Sequence, residues 1–184
     1  MFSTIPKLRP LTSRSVFARQ WEVREDFEYQ IDSLKLRFLF VSEILYLDAW
    51  NDFSNFEVFP EESILLFKGI RVLQGTISDL ASIPRFLWWF MAPTDFIRAS
   101  ILHDELYEYI RLLKAQGKNV KILRYIIDRI FLESLKYTKP EIEKDGSLLK
   151  KLRTRVIRGY LTLKHYIAYS VVRLFGWTTL RPRR

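Results

Sequence analysis

The chain has 184 residues, enough for one well-formed core and short for two. Its 48% hydrophobic and 15% aromatic content exclude a disordered chain, and the lack of cysteine excludes disulfides, thiolate metal sites and a cysteine nucleophile. The net charge of +9 has one origin: ten Lys/Arg and no acidic residue follow Asp145, whereas the rest of the chain carries 20 basic and 21 acidic residues. Such a one-sided field suits an acidic partner (anionic lipid, an acidic protein or nucleic acid), or else forms a solvated helix face. No apolar run is long enough to read as a membrane span, and Met1–Lys7 lack the pattern of a secretion signal.

Residues 1–19 have no periodicity and read as an arm. From residue 20 to 78 the pattern is mainly strand-like. Trp21, Val23, Phe27, Tyr29 and Ile31 interleave with charges, and Leu34, Leu36, Phe38 and Phe40 alternate. Asn51-Asp52 and Pro60-Glu61 mark turns, and Ser63–Leu73 is a further strand closed by Gly75. The expectation is a small antiparallel sheet.

The pattern turns helical from residue 79 onward. Ser82 is placed to cap a short apolar helix through Phe86–Phe90, which is either an interfacial anchor or, more commonly, a buried core helix. Thr94, with Asp95 behind it, caps a longer helix to about Leu113. Gln116–Asn119 turns the chain, Val120–Tyr137 is helical again, and Pro140–Ser147 is a polar connector. A basic amphipathic helix then runs from Leu148 to Phe175, with a break at Gly159 and a stop at Gly176. The overall expectation is one α+β domain over residues 1–184: an N-terminal antiparallel sheet, then a bundle of three to four helices containing an antiparallel pair.

That pair carries the residues of chemical interest. Ala99, Leu102, Leu106, Ile110 and Leu113 form an inward stripe, with His103 and Tyr107 together on its edge and Asp104 turned toward solvent. On the next helix Leu123, Ile126, Ile127 and Ile130 point inward and Asp128 borders them. An antiparallel return brings His103 and Asp128 to within about one turn of each other. An imidazole held by a carboxylate is fixed in tautomer and suits deprotonation of water, and Asp104 offers oxygen to a hard cation such as calcium. Periodicity alone favours a satisfied core residue for His103 and for Tyr107, and reads Arg124 with Asp128 as an ordinary i,i+4 surface pair. The loop residues Asp79, Ser82 and Arg85 are expected to pack beside the His103 helix, with Arg85 paired to Asp79 or Asp104. On the basic helix, Val156, Tyr160, Leu163, Ile167 and Val171 should face the core, leaving Arg153, Arg155, Arg158, Arg181, Arg183 and Arg184 outward to bind an anionic partner.

Four ordered segments carry a resemblance: Asp79–Arg85, His103-Asp104-x-Leu106-Tyr107, Asp128–Leu132 and Val172–Gly176. Together with Trp21–Val23 and Phe27–Tyr29 they resemble domain of unknown function 1353, a family of tailed phages and prophages. The chain departs from that family in a longer apolar stretch between Leu34 and Phe67 and a bulkier spacer between His103 and Asp128. The resemblance implies a phage or prophage protein, placed in the bacterial host cytoplasm or the virion, with an acidic phage protein among its candidate partners. Non-enzymatic virion or tail-associated assembly and nucleic-acid binding stay open as alternatives, although no helix-turn-helix or zinc motif is present.

A second, partial resemblance covers about forty residues. Ala99, His103, Asp104 and Tyr107, then Asp128 and Phe131, are similar to the helix pair of phospholipase A2 domains. That likeness implies lipid-ester hydrolysis, with His103 as base, Asp104 as calcium ligand, Asp128 as orienter and Tyr107 as its hydrogen-bond partner. The Gly-rich calcium loop of those enzymes has no counterpart; Gly75–Arg85 stands in its place.

Overall fold

The computed structural model describes residues 8–11, 20–49, 69–78, 96–138 and 147–179. Strands β1 (Leu8–Leu11), β2 (Gln20–Val23) and β5 (Ile77–Ser78) form an antiparallel sheet in the order β1-β2-β5. Strands β3 (Phe27–Gln30) and β4 (Gly69–Val72) form a second antiparallel pair, so the strand region makes two small sheets. In β3 the alternation acts as expected: Phe27 and Tyr29 are buried, while Glu28 lies opposite Arg71 and accepts from its Nη2 at 2.6 Å.

The Leu34–Phe40 segment is not a strand. It opens helix α1 (Leu34–Tyr46), capped by Ser33, whose hydroxyl accepts from the Leu36 backbone N–H. The alternating Leu34 and Phe38 are exposed, and the fully buried apolar side chains of the helix are Phe40, Val41 and Ile44, at helical spacing, with Leu36 and Leu39 packed beside them. An apolar run of this length satisfies both periods, and the cap selects the helix. The turns at Asn51-Asp52 and Pro60-Glu61, most of the Ser63–Leu73 strand, the Phe86–Phe90 helix and its Ser82 cap, and Thr94 with Asp95 lie outside the described residues.

Helix α2 spans Ile97–Ala115 and α3 spans Lys121–Ser134, extended by a 3-10 turn at Leu135–Thr138. Gly117, at φ 82°, makes the left-handed turn between them. Helix α4 runs unbroken from Leu148 to Thr179, so neither Gly159 nor Gly176 interrupts it. The main core joins Val23, Phe27 and Tyr29 to Phe40 and Ile44 of α1, and to the inward stripes of α2 and α3. A smaller cluster of Phe96, Ala99, Phe131, Leu135, Ala168 and Val172 seats the second half of α4. His165, also buried, reaches the Thr138 hydroxyl through Nε2 at 2.9 Å and lies edge-on to Phe96.

The packing of α4 differs from that expectation. Val156, Tyr160 and Leu163 are exposed, and Ile167 and Val171 are only partly buried. The seated face is Lys164, His165, Ala168, Val172 and Gly176. Small Ala168 and Gly176 permit a close approach that the bulkier stripe does not.

The joint between strands and helices is a buried carboxylate. Glu133 of α3, 4% exposed, accepts from the Tyr29 hydroxyl (3.0 Å) and from the backbone N–H groups of Asp32 (2.8 Å) and Ser33 (3.2 Å). Burial, with the Glu133 charge next, pushes the Tyr29 phenol far above its usual value. Glu133→Ala is expected to lower stability by about 3 kcal/mol, and Tyr29→Phe by about 1.5 kcal/mol, as hydrogen bonds to a charged group imply. Urea unfolding of each variant measures both.

Candidate functional site

Asp128 is the centre of the polar cluster between α2, α3 and α4. Its carboxylate is fully buried, and each oxygen has its own partners. Oδ1 accepts from the Tyr107 hydroxyl at 2.6 Å and lies 3.2 Å from His103 Nε2. Oδ2 accepts from Arg173 Nη1 at 2.7 Å and lies 3.8 Å from Arg124 Nε. Arg124 in turn donates to the Tyr107 oxygen at 3.2 Å and to the Arg173 carbonyl at 2.6 Å. Three helices therefore meet on one acid. Burial by itself would raise the Asp128 carboxyl; donation from His103, Tyr107 and Arg173 outweighs it and holds the group below its usual value.

His103 is 3% exposed and sits between the Tyr107 ring (centroids 4.1 Å apart) and the Phe131 ring (4.8 Å). With Nε2 facing a carboxylate, the neutral ring carries its proton on Nε2 and keeps the lone pair on Nδ1. Nδ1 is buried and has no hydrogen-bond partner among the described residues; the same holds for the Ser100 hydroxyl, one helical turn earlier. A buried acceptor left without a partner is uncommon and costs about 1–3 kcal/mol.

Asp104 turns away from this cluster, as its position on α2 predicted, and Oδ2 accepts from the Ser78 hydroxyl of β5 at 2.5 Å. That contact brings the described end of the Gly75–Arg85 loop against α2. Asp79, Ser82 and Arg85 themselves lie outside the described residues, so the pairing expected of Arg85 does too. A calcium ion takes about six to eight oxygens. Asp104 brings one carboxylate, and among the described residues no three His, Asp or Glu side chains group to hold a metal.

Arg173, Arg124, Glu133 and Ser78 were not legible as part of a site. Arg173 counts in the sequence as one of the basic tail, yet it sits inside the apolar Val172–Gly176 segment, a position where a cation needs an acid. Arg124 with Asp128 is a buried pair, since the acid has no exposed surface. Gly176 explains how α4 comes so close: a Cβ there would stand 2.7 Å from the Tyr107 hydroxyl. Of the outward cations, Arg153 and Arg155 are exposed and Arg158 is partly so, while Arg181, Arg183 and Arg184 lie outside the described residues.

Asp128→Ala is expected to cost about 3–5 kcal/mol, since it leaves two arginines facing each other across a buried gap. Gly176→Ala should cost about 1–3 kcal/mol by displacing Tyr107. A carboxyl held below its unfolded value contributes stability in full above that value, and the contribution is lost as pH falls through the lowered folded one. Acid titration of the unfolding free energy should therefore show a fall below about pH 4 that is smaller in Asp128→Asn.

Residues 59–144 match the family model described as "Protein of unknown function (DUF1353)". The matched stretch holds His103, Asp104, Tyr107, Arg124, Asp128 and Glu133, whereas Arg173 comes from outside it. No curated protein and no solved structure matches the chain.

Proposed function

We propose that the chain is a hydrolase that activates water at His103 Nδ1, with lipid carboxylic esters as its substrate class. The observation that carries this reading is the single unpartnered ring nitrogen opposite a carboxylate-bound one. In the reaction, Nδ1 takes a proton from water as the water oxygen adds to the ester carbonyl carbon. The imidazolium formed is held by Asp128, and it returns the proton to the leaving alkoxide as the carbon–oxygen bond breaks. The products are a carboxylic acid and an alcohol. Asp128 and Tyr107 are positioning residues, and Arg173 and Arg124 hold Asp128 in its charged form. The substrate class rests on the resemblance of the helix pair to phospholipase A2 domains, and the setting that the ordered motifs support is a tailed phage or prophage.

A second reading has its own observation. His103 is almost wholly enclosed, and every oxygen of Asp128 is occupied, as in a polar knot whose only task is to fix three helices. Fatty-acid release from mixed phospholipid vesicles, with calcium or with a chelator, separates the two. The hydrolase should release fatty acid, and His103→Gln should reduce the rate about 10²- to 10⁴-fold while keeping the helical circular dichroism. No release by the unmodified protein under either condition, or release untouched by His103→Gln, would establish the knot instead.

A further inference from the structure

Helix α4 has two apolar faces, and among the described residues only one is seated on the core. The seated face begins at Lys164; from Leu148 to Leu163 no side chain is buried. Those sixteen residues form about 24 Å of helix. Leu149, Leu152, Val156 and Leu163 recur at helical spacing and are 80%, 46%, 73% and 56% exposed. At about 100° per residue they share one stripe, which Leu174 continues at 66% exposure, on the side turned away from Ala168 and Val172.

The charges are arranged around that stripe. Arg153 falls along one edge and Arg155 along the other, with Lys151 behind Arg155, and α4 contains no acidic residue at all. We infer that the first half of α4 docks on an anionic lipid bilayer, the stripe entering the acyl boundary and the flanking arginines reaching the headgroups.

The pattern of charge and apolar surface favours this occupant over three others. A nucleic acid would pair with the cations but leave the apolar stripe uncovered. A second copy would cover the stripe, yet it would set arginine edges against arginine edges with no acid on either helix to relieve them. An acidic protein groove answers the charge, but the flanking of an apolar band by cations on both edges is the pattern of an interfacial helix. The inference does not depend on hydrolysis at His103; a docked non-enzyme would carry the same helix.

The test is flotation of the full chain with vesicles of phosphatidylcholine and phosphatidylglycerol, and with phosphatidylcholine alone, at low and high salt. The unmodified protein should float with the mixed vesicles and partition at least about tenfold less onto phosphatidylcholine. Arg153→Gln with Arg155→Gln should weaken binding about thirtyfold and flatten the salt dependence. Leu152→Asp with Val156→Asp should lose binding about a hundredfold; Leu149→Asn with Val156→Asn is a milder second pair should the first disturb folding. All five positions are exposed, so circular dichroism and the melting temperature should stay near those of the unmodified protein. The proposal is overturned by failure to float with mixed vesicles at low salt, or by binding that ignores the stripe variants. It is overturned equally by a dimer in sedimentation equilibrium that the stripe variants dissociate, or by retention on DNA without retention on vesicles.

Discussion

Everything in the helical part is arranged around one fully buried acid. Asp128 receives the Tyr107 hydroxyl and faces His103 on α2, takes a guanidinium from Arg173 on α4, and has Arg124 beside it on its own helix. A carboxylate taken out of water is costly, and its Coulomb gain offsets that only when all its lone pairs are engaged. The requirement is directional. Two donors lie on one oxygen and two cations on the other, so neither α2 nor α4 can slide by a turn without exposing an unpaired charge to a dry interior. The same constraint leaves His103 with one ring nitrogen committed and the other without a partner among the described residues.

Helix α3 repeats this arrangement on a second side. Glu133, five positions beyond Asp128, accepts from Tyr29 on β3 and from the two backbone N–H groups that precede α1. Its charge lies at the start of α1, where the helix dipole favours an anion. One helix therefore ties the strand region to α1 through Glu133 and ties α2 and α4 together through Asp128, while Ile126, Ile127 and Ile130 fill the space between. The polar contacts set register and the apolar ones supply most of the driving force.

Legibility followed the length of each periodic signal. In α2 and α3 the stripes persist over several turns, so His103, Tyr107 and Asp128 could be placed on facing edges from spacing alone, and the structure brings the three side chains together. Leu34–Phe40 is too short for that: alternation and helical spacing coincide over seven residues, and what decides is Ser33 as a cap, with Phe40, Val41 and Ile44 reaching the core. In α4 the amphipathic signal was strong but pointed to the wrong side. The largest apolar residues lie outside, because a close helix contact selects small residues, and Ala168 and Gly176 have almost no weight in a hydrophobic pattern. Arg173 and Glu133 were hidden for a different reason. A charge becomes readable as buried only when the groups that satisfy it are known, and for both residues these come from distant parts of the chain.

These two kinds of α4 contact bear on how the helix holds its place. The apolar cluster beneath it is modest: Ala168 and Val172 meet Phe96, Phe131 and Leu135. Apolar burial on this scale is not directional and would tolerate a shifted helix. Arg173 is not so tolerant. Burial opposes its charge, yet the hydrogen bond and charge of Asp128 raise its guanidinium above the usual value, so the pair is stable as an ion pair at this spacing. Gly176 lies three residues further on and admits the Tyr107 hydroxyl that bonds the same acid. Shifting α4 by one turn would bring Val172 or Arg173 into that gap in place of glycine when moved one way, and either way would remove Arg173 from Oδ2. The seat of α4 is thus specified by one cation and one missing side chain, which is why the rest of its surface is free to carry a second apolar face.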